Sequence, residues 1–141
     1  GGTKNGLLCG EAIISFRPEL TSAMRFYRKQ ASQLLSKMRF ISAQYQAYLA
    51  DDLYLKNAMA ANAMAKLLAE RLQEIPEISI TQEVAVNSLF VVLPRQIIEP
   101  LQQKYHFYTW NEEKNEVRLM CSFNTTEKHI ENFILDLKAL L

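Results

Sequence analysis

The distribution of glycine is the feature that most constrains this chain. All four glycines of its 141 residues lie within the first ten positions, and the rest of the chain contains none. A globular domain has about 7% glycine, so about ten would be expected at this length. Because glycine permits backbone conformations and close approaches that are closed to other residues, the opening segment and the remainder must meet different structural demands.

The composition is that of a soluble globular chain. About 49% of the residues are hydrophobic and 22% are charged, which excludes disordered and collagen-like classes. The formal charge of +1 gives no sequence-wide electrostatic case for nucleic acid or an anionic membrane. Cys9 and Cys121 fit no disulfide framework, metal motif or redox motif, and no signal-peptide or membrane-spanning pattern is present. We therefore expect a cytoplasmic protein that binds neither nucleic acid nor membranes.

Hydrophobic periodicity predicts the order strand, two helices, two strands, helix, hairpin, helix. The predicted strands are residues 6–16, 78–81, 84–93, 105–110 and 116–123. The predicted helices are residues 20–48 with a break near 32–36, a segment from about Asp51 to just before Pro76, residues 94–104, and a last helix whose N-cap is Asn124 or Thr125. This pattern predicts an α+β fold in which helices cover one face of a mostly antiparallel sheet.

The segment GGTKNG, residues 1–6, places Lys4 between glycines immediately before an apolar run. A lysine held in such a turn can point into a cleft. The segment is not a P-loop, because that motif needs GK[ST] at the start of a helix. Taken alone, it also fits a glycine-rich surface turn with a solvated lysine.

Further segments follow in a characteristic order. They are LLCGEAIISF (7–16), RKQASQLLSKMRFISAQ (28–44), NAMAANAMAKLLAERL (57–72), NSLFVVLP (87–94), YHFYTWNE (105–112) and VRLMCSFNTTEKHIENF (117–133). Together with GGTKNG, they resemble the C-terminal part of the threonine aldolases and related β-eliminating lyases, which are pyridoxal 5'-phosphate (PLP) enzymes of fold type I. The resemblance implies the end of a large cofactor domain at 1–17, a connecting helical segment at 18–49 and a small α+β domain at 50–141.

By this resemblance, Lys4 is the lysine that binds PLP covalently, and Thr3 offers its hydroxyl to the cofactor phosphate. An exposed turn threonine would equally need no role. Arg39, and less directly Lys37 and Lys29, lie in a basic helical segment that approaches the phosphate or the active site in the family. A solvated helix face is the alternative interpretation for these charges.

Arg118 is the second residue that we single out. It lies among apolar neighbours in the predicted strand EVRLMCSF, on the side opposite Val117 and Leu119. Its planar fork matches a carboxylate, and the resemblance implies that it binds the α-carboxylate of the substrate. The alternative is an edge-strand arginine paired with Glu112 or Glu113.

The resemblance implies a lyase that cleaves β-hydroxy-α-amino acids such as threonine or phenylserine to glycine and an aldehyde, as a homodimer or homotetramer. We expect this segment to be inactive alone, because the groups that bind the cofactor ring are expected to precede Gly1. The alternatives are another PLP reaction, either β-elimination or transamination, and a non-catalytic dimerisation module that uses the apolar stripe of residues 24–48. His106 and His129 have no ligand spacing, so we expect structural roles and no metal site.

Overall fold

A computed structural model describes all 141 residues, which form two compact units, Gly1–Tyr54 and Leu55–Leu141. The helices are α1 (Pro18–Gln30), α2 (Met38–Leu49), α3 (Leu53–Gln73), α4 (Arg95–Gln102) and α5 (Glu127–Leu140). The strands are β1 (Ser79–Ile80), β2 (Ser88–Val92), β3 (Tyr108–Asn111) and β4 (Glu116–Met120). No helix has both the length and the apolar character that a bilayer crossing requires. The resemblance to PLP enzymes of fold type I predicts domain boundaries at 17/18 and 49/50. These boundaries remain predictions.

The first unit contains a short 3-10 turn at Thr3–Asn5, the helices α1 and α2, and a second 3-10 turn at Ala50–Asp52. The predicted break in the first long helix is confirmed, since residues 31–37 separate α1 from α2. The predicted strand at 6–16 is wrong. A strand needs a neighbour for its backbone hydrogen bonds, and all four strands of the sheet lie in the second unit.

The second unit is a four-stranded antiparallel sheet in the order β1-β2-β4-β3, and β3 and β4 form the predicted hairpin. Alternate residues of the two central strands, such as Leu89 on β2 and Val117 on β4, are fully buried. They share one hydrophobic cluster with residues of α3, α4 and α5, among them Leu72 and Leu137. This confirms the predicted α+β fold.

Two helix starts differ from the prediction. Asp51 and Asp52, the predicted start of the second helix, have positive φ angles of 50° and 56° in the 3-10 turn before α3. Thr126 caps α5 in place of the predicted Asn124 or Thr125, and its hydroxyl accepts the backbone N–H of His129 at 3.4 Å. His129 Nδ1 accepts the N–H of Thr126 at 3.3 Å, which completes a reciprocal capping box.

Candidate functional site

The turn that carries Lys4 is closed by backbone hydrogen bonds. The N–H groups of Asn5 and Leu7 both donate to the carbonyl of Gly2 at 3.0 Å, and the N–H of Thr3 donates to the carbonyl of Gly10 at 3.1 Å. Gly6 follows with φ 116°, a left-handed conformation in which a side chain would be strained. The predicted need for glycine at this point is therefore real.

Two other glycines allow the backbone to pack closely. A Cβ on Gly2 would lie 2.9 Å from the carbonyl oxygen of Gly10, and a Cβ on Gly10 would lie 3.0 Å from the ring of Tyr45. Both contacts are shorter than ordinary packing distances. The glycine-rich segment thus folds back on itself and onto α2 because these residues have no side chain.

Polar side chains attach the turn to the rest of the first unit. The amide of Asn5 donates to the hydroxyl of Tyr48 at 2.5 Å and to the carbonyl of Tyr54 at 2.9 Å. The N–H of Cys9 donates to the side chain of Gln44 at 3.1 Å. The hydroxyl of Thr3 accepts from the N–H of Gly10 at 2.9 Å, so it stabilises the turn itself.

The side chain of Lys4 is exposed and forms no hydrogen bond or ion pair. The Nζ of Lys4 therefore has no partner within the protein. The predicted roles of Lys4 and Thr3 towards PLP remain predictions. Arg39 is also exposed, on α2, with its guanidinium 5.1 Å from the ring centroid of Phe40, and its predicted contact with the phosphate remains a prediction.

Arg118 lies on β4, a central strand of the sheet, and is partly buried. Its direct cross-strand partners are Phe90 on β2 and Tyr108 on β3. Its guanidinium carbon lies 6.0 Å from the ring centroid of Phe90 and 5.9 Å from that of Trp110, close enough for weak cation–π attraction.

The guanidinium of Arg118 has an unsatisfied donor. Its Nε is buried without a hydrogen-bond partner, and Arg118 forms no ion pair. The alternative pairing with Glu112 or Glu113 is therefore not formed. Glu116 is engaged elsewhere, since it accepts a hydrogen bond from the hydroxyl of Thr81 at 2.5 Å. Buried donors are normally satisfied, so the unpaired Nε and the missing acidic partner single out this arginine as the candidate anion-binding group.

A separate cleft of about 450 Å³ lies in the second unit beside the start of α5. Its lining includes His106, His129 and Cys121, and burial raises the pKa of the Cys121 thiol to about 11. No group of three or more histidine, cysteine or acidic side chains is placed to hold a metal. His129 belongs to the capping box, and His106 packs edge-on against Tyr108 at 5.3 Å.

No family model matches the chain. Along its whole length, however, the chain is 38% identical to the low specificity L-threonine aldolase of Pseudomonas aeruginosa. The solved threonine aldolase of Leishmania major superposes on 82% of the chain with a TM-score of 0.73 and 28% identity. The chain matches the C-terminal part of the threonine aldolases.

The chain spans 41% of the length of the Pseudomonas threonine aldolase and 34% of that of the Leishmania protein. A more distant solved structure, a C-DES variant with glycine covalently linked to its PLP cofactor, superposes on 70% of the chain at 17% identity and a TM-score of 0.57. At that identity the likeness concerns the fold alone. The fold of the chain is that of the small domain of PLP enzymes of fold type I.

The sequence-based prediction named the lysine turn and Arg118, whose roles remain predictions, and it did not include the rings around Arg118. Phe90 and Trp110 were assigned only to apolar strands. The signal that would have found Phe90 is the alternation of β2, which places it on the face opposite Leu89 and Val91. Trp110 had no such signal, because it lies at an irregularity in the pairing of β3 with β4.

Proposed function

We propose that this chain forms the C-terminal part of a PLP-dependent threonine aldolase, a lyase that cleaves β-hydroxy-α-amino acids to glycine and an aldehyde. Threonine and phenylserine are the expected substrates. The observation that carries the proposal is the partly buried guanidinium of Arg118, which has an unsatisfied Nε and no acidic partner. The whole-length similarity to threonine aldolases supports it.

The residues of the lysine turn fit a covalently bound aldehyde cofactor. Lys4 presents an unpaired amine from a turn whose backbone is held by hydrogen bonds and by glycine packing. PLP, when bound, supplies an electron sink for cleavage of the bond between Cα and Cβ. We propose that Lys4 would hold the cofactor covalently through its amine.

Arg118 is proposed to orient the substrate. Its guanidinium would donate two parallel hydrogen bonds to the α-carboxylate, and charge assistance makes such bonds stronger than neutral ones. A fixed carboxylate limits how the substrate can turn about Cα, and such orientation lowers the barrier to reaction. Thr3 and Arg39 are proposed as contacts to the cofactor phosphate.

We also propose that the complete enzyme is a cytoplasmic homodimer or homotetramer that binds neither nucleic acid nor membranes. Large apolar side chains of the helical segment at 18–49 are exposed, including Phe26 at 61% and Phe40 at 57%. Exposed apolar patches of this kind are typical of surfaces that another protein surface covers. The near-neutral charge agrees with the absence of a nucleic-acid partner.

The proposal is tested with the longer protein that contains this chain, supplied with PLP and assayed for aldehyde release from threonine. Lys4→Ala is expected to lower kcat by at least about a thousandfold, because the covalent anchor is lost. Lys138→Ala, an exposed lysine on α5, serves as the matched control and is expected to keep activity within about twofold.

The same assay separates the other functions that the fold permits. Release of a keto acid in place of an aldehyde would indicate β-elimination or transamination. Full function in the Lys4→Ala variant would indicate a non-catalytic module. Either result would overturn the proposed aldolase activity.

A further inference from the structure

Three strands place side chains around one position on the sheet face opposite the helices. Arg118 stands on β4, which lies between β2 and β3. One aromatic ring from each neighbouring strand lies within cation–π range of its guanidinium, Phe90 from β2 and Trp110 from β3. The guanidinium of Arg118 lies about equally far from both rings, at 6.0 Å and 5.9 Å.

The two rings also touch each other across the central strand. The centroids of Phe90 and Trp110 are 5.2 Å apart with an interplanar angle of 70°, an edge-to-face arrangement that is favourable between aromatic rings. Their strands are not neighbours, because β4 separates them. The ring pair therefore spans the strand that carries Arg118.

An irregularity in the sheet makes this contact possible. The pairing of β3 with β4 shifts between Thr109 and Asn111, so Trp110 has no direct partner on β4. Bulges of this kind change the direction in which a side chain points. Tyr108, the regular partner of Arg118 on β3, forms its ring contact with His106 instead.

Aromatic rings restrain an arginine differently from a carboxylate. A carboxylate would occupy the N–H groups of the fork, whereas a ring attracts the cation through its face and leaves those donors available. Arg118 has two such rings and no acidic partner. The arrangement thus holds the guanidinium while its hydrogen-bonding capacity stays open.

We propose that Phe90 and Trp110 are positioning residues that orient the guanidinium of Arg118 towards the carboxylate of the substrate. The proposal rests on the proposed function, in which Arg118 binds that carboxylate. It adds that affinity for the carboxylate depends on the ring pair as well as on the arginine.

The test uses the longer protein with PLP and two competitive inhibitors of threonine cleavage. 3-Hydroxybutyrate has the carboxylate and hydroxyl of the substrate but no amine, and 1-amino-2-propanol has the amine and hydroxyl but no carboxylate. Trp110→Leu is expected to raise the inhibition constant of 3-hydroxybutyrate about tenfold, which corresponds to the loss of a cation–π contact to the partly buried Arg118. The constant of 1-amino-2-propanol is expected to stay within about twofold.

Three further variants test whether the effect on the 3-hydroxybutyrate constant comes from the aromatic rings that contact Arg118. Trp110→Phe keeps an aromatic ring and is expected to restore the inhibition constant of 3-hydroxybutyrate to within about threefold of the original. Phe90→Leu is expected to act like Trp110→Leu. Tyr108→Leu removes a ring that faces Arg118 across the strands without a cation–π contact, and is expected to leave both constants unchanged.

The variant Arg118→Gln separates failure of this inference from failure of the proposed function. If Arg118→Gln raises the 3-hydroxybutyrate constant but Trp110→Leu and Phe90→Leu do not, the positioning role is wrong and the carboxylate role of Arg118 stands. Equal weakening of both inhibitors by Trp110→Leu would reveal general structural damage and would also overturn the inference. No effect of Arg118→Gln would overturn the carboxylate role and the inference together.

Discussion

The two units of the chain are stabilised in different ways. In the first unit, the only buried residues are Gly2, Leu7 and Gly10, and neither α1 nor α2 buries a residue completely. The second unit has a continuous hydrophobic cluster in which Leu72 and Leu137 are fully buried. Backbone hydrogen bonds and close glycine packing shape the first unit, whereas a core of side chains shapes the second.

This difference corresponds to the proposed roles of the two units. Lys4 lies on a backbone turn whose shape depends on glycine, and the amine stays exposed. Arg118 lies on a central strand whose other face packs into the core, so its backbone is rigidly supported. Glycine packing at a backbone turn and a side-chain core beneath a strand are therefore two different physical means of positioning the proposed cofactor-binding amine and the proposed carboxylate-binding guanidinium.

The largest expected effect is in the core of the second unit. Leu137→Ala removes a fully buried side chain of α5 and is expected to lower the free energy of unfolding by about 2–5 kcal/mol. Leu135→Ala, on the same helix but 66% exposed, is the matched control and is expected to cost less than about 0.5 kcal/mol. Urea denaturation measures both.

The contrast between the two units would fail if truncating an apolar residue of the first unit lowered the free energy of unfolding as much as Leu137→Ala does. Leu8 is 88% exposed, so Leu8→Ala is expected to change the free energy of unfolding of this chain by less than about 0.5 kcal/mol. A loss comparable to that of Leu137→Ala would show that the first unit has a core of its own.

The next effect concerns the lysine turn. Gly2→Ala brings a methyl group to 2.9 Å from the carbonyl oxygen of Gly10, so the turn must shift at an expected cost of about 1–3 kcal/mol. Amide hydrogen exchange would detect it as faster exchange of the Thr3 N–H, which donates to that carbonyl. Gly1→Ala is the control, because its methyl would meet only the flexible carboxylate of Glu11. Unchanged exchange in Gly2→Ala would contradict the packing account.

A smaller effect is expected at the start of α5. Thr126→Ala removes the hydroxyl that caps the helix and is expected to cost about 1 kcal/mol. Thr126→Ser keeps the hydroxyl and is expected to restore most of the loss. The free energy of unfolding in urea distinguishes the variants, and equal stability of Thr126→Ala and the original chain would show that the capping box contributes nothing.

The smallest effect appears only at high pH. Burial, together with a hydrogen bond to Asp136, raises the pKa of Tyr105 from 10.0 to about 12. Because the folded state favours the neutral phenol, this stabilisation is present below pH 10 and is lost as the pH rises towards 12. Tyr105→Phe is expected to flatten that part of the curve of stability against pH. Tyr27→Phe, at an exposed position of α1, is expected to leave the curve unchanged, and identical curves for all three proteins would refute the assignment.

Sequence reasoning succeeded where local patterns determine structure. The hairpin of β3 and β4, the break between α1 and α2, and the α+β class all follow from periodicity and turn composition. It failed for the apolar run at 6–16, where a strand would need a partner strand that the first unit does not contain. Apolar composition reports the tendency to form a strand but not the presence of a neighbour.

The sequence points only to those residues of the candidate site that lie in a local motif or an alternating strand, and the roles of these residues remain predictions. The lysine turn is a local sequence motif. Its glycines are needed because Gly6 has a positive φ and because a side chain on Gly2 or Gly10 would clash with its neighbours. The ring pair of Phe90 and Trp110 depends on which strands are neighbours and on a shift in their register, and both are properties of the folded sheet. The hydrophobic periodicity of a single segment does not determine which distant strand it pairs with or in what register.

The central claim is that Lys4 is the covalent anchor of PLP in a threonine aldolase. It is tested most directly by loading the longer protein with PLP, reducing the lysine–cofactor bond with borohydride, and locating the added mass by peptide mapping. The account predicts that the mass lies on the peptide containing Lys4 and is absent after Lys4→Ala. Attachment to any other lysine, or unchanged labelling in the Lys4→Ala protein, would contradict it.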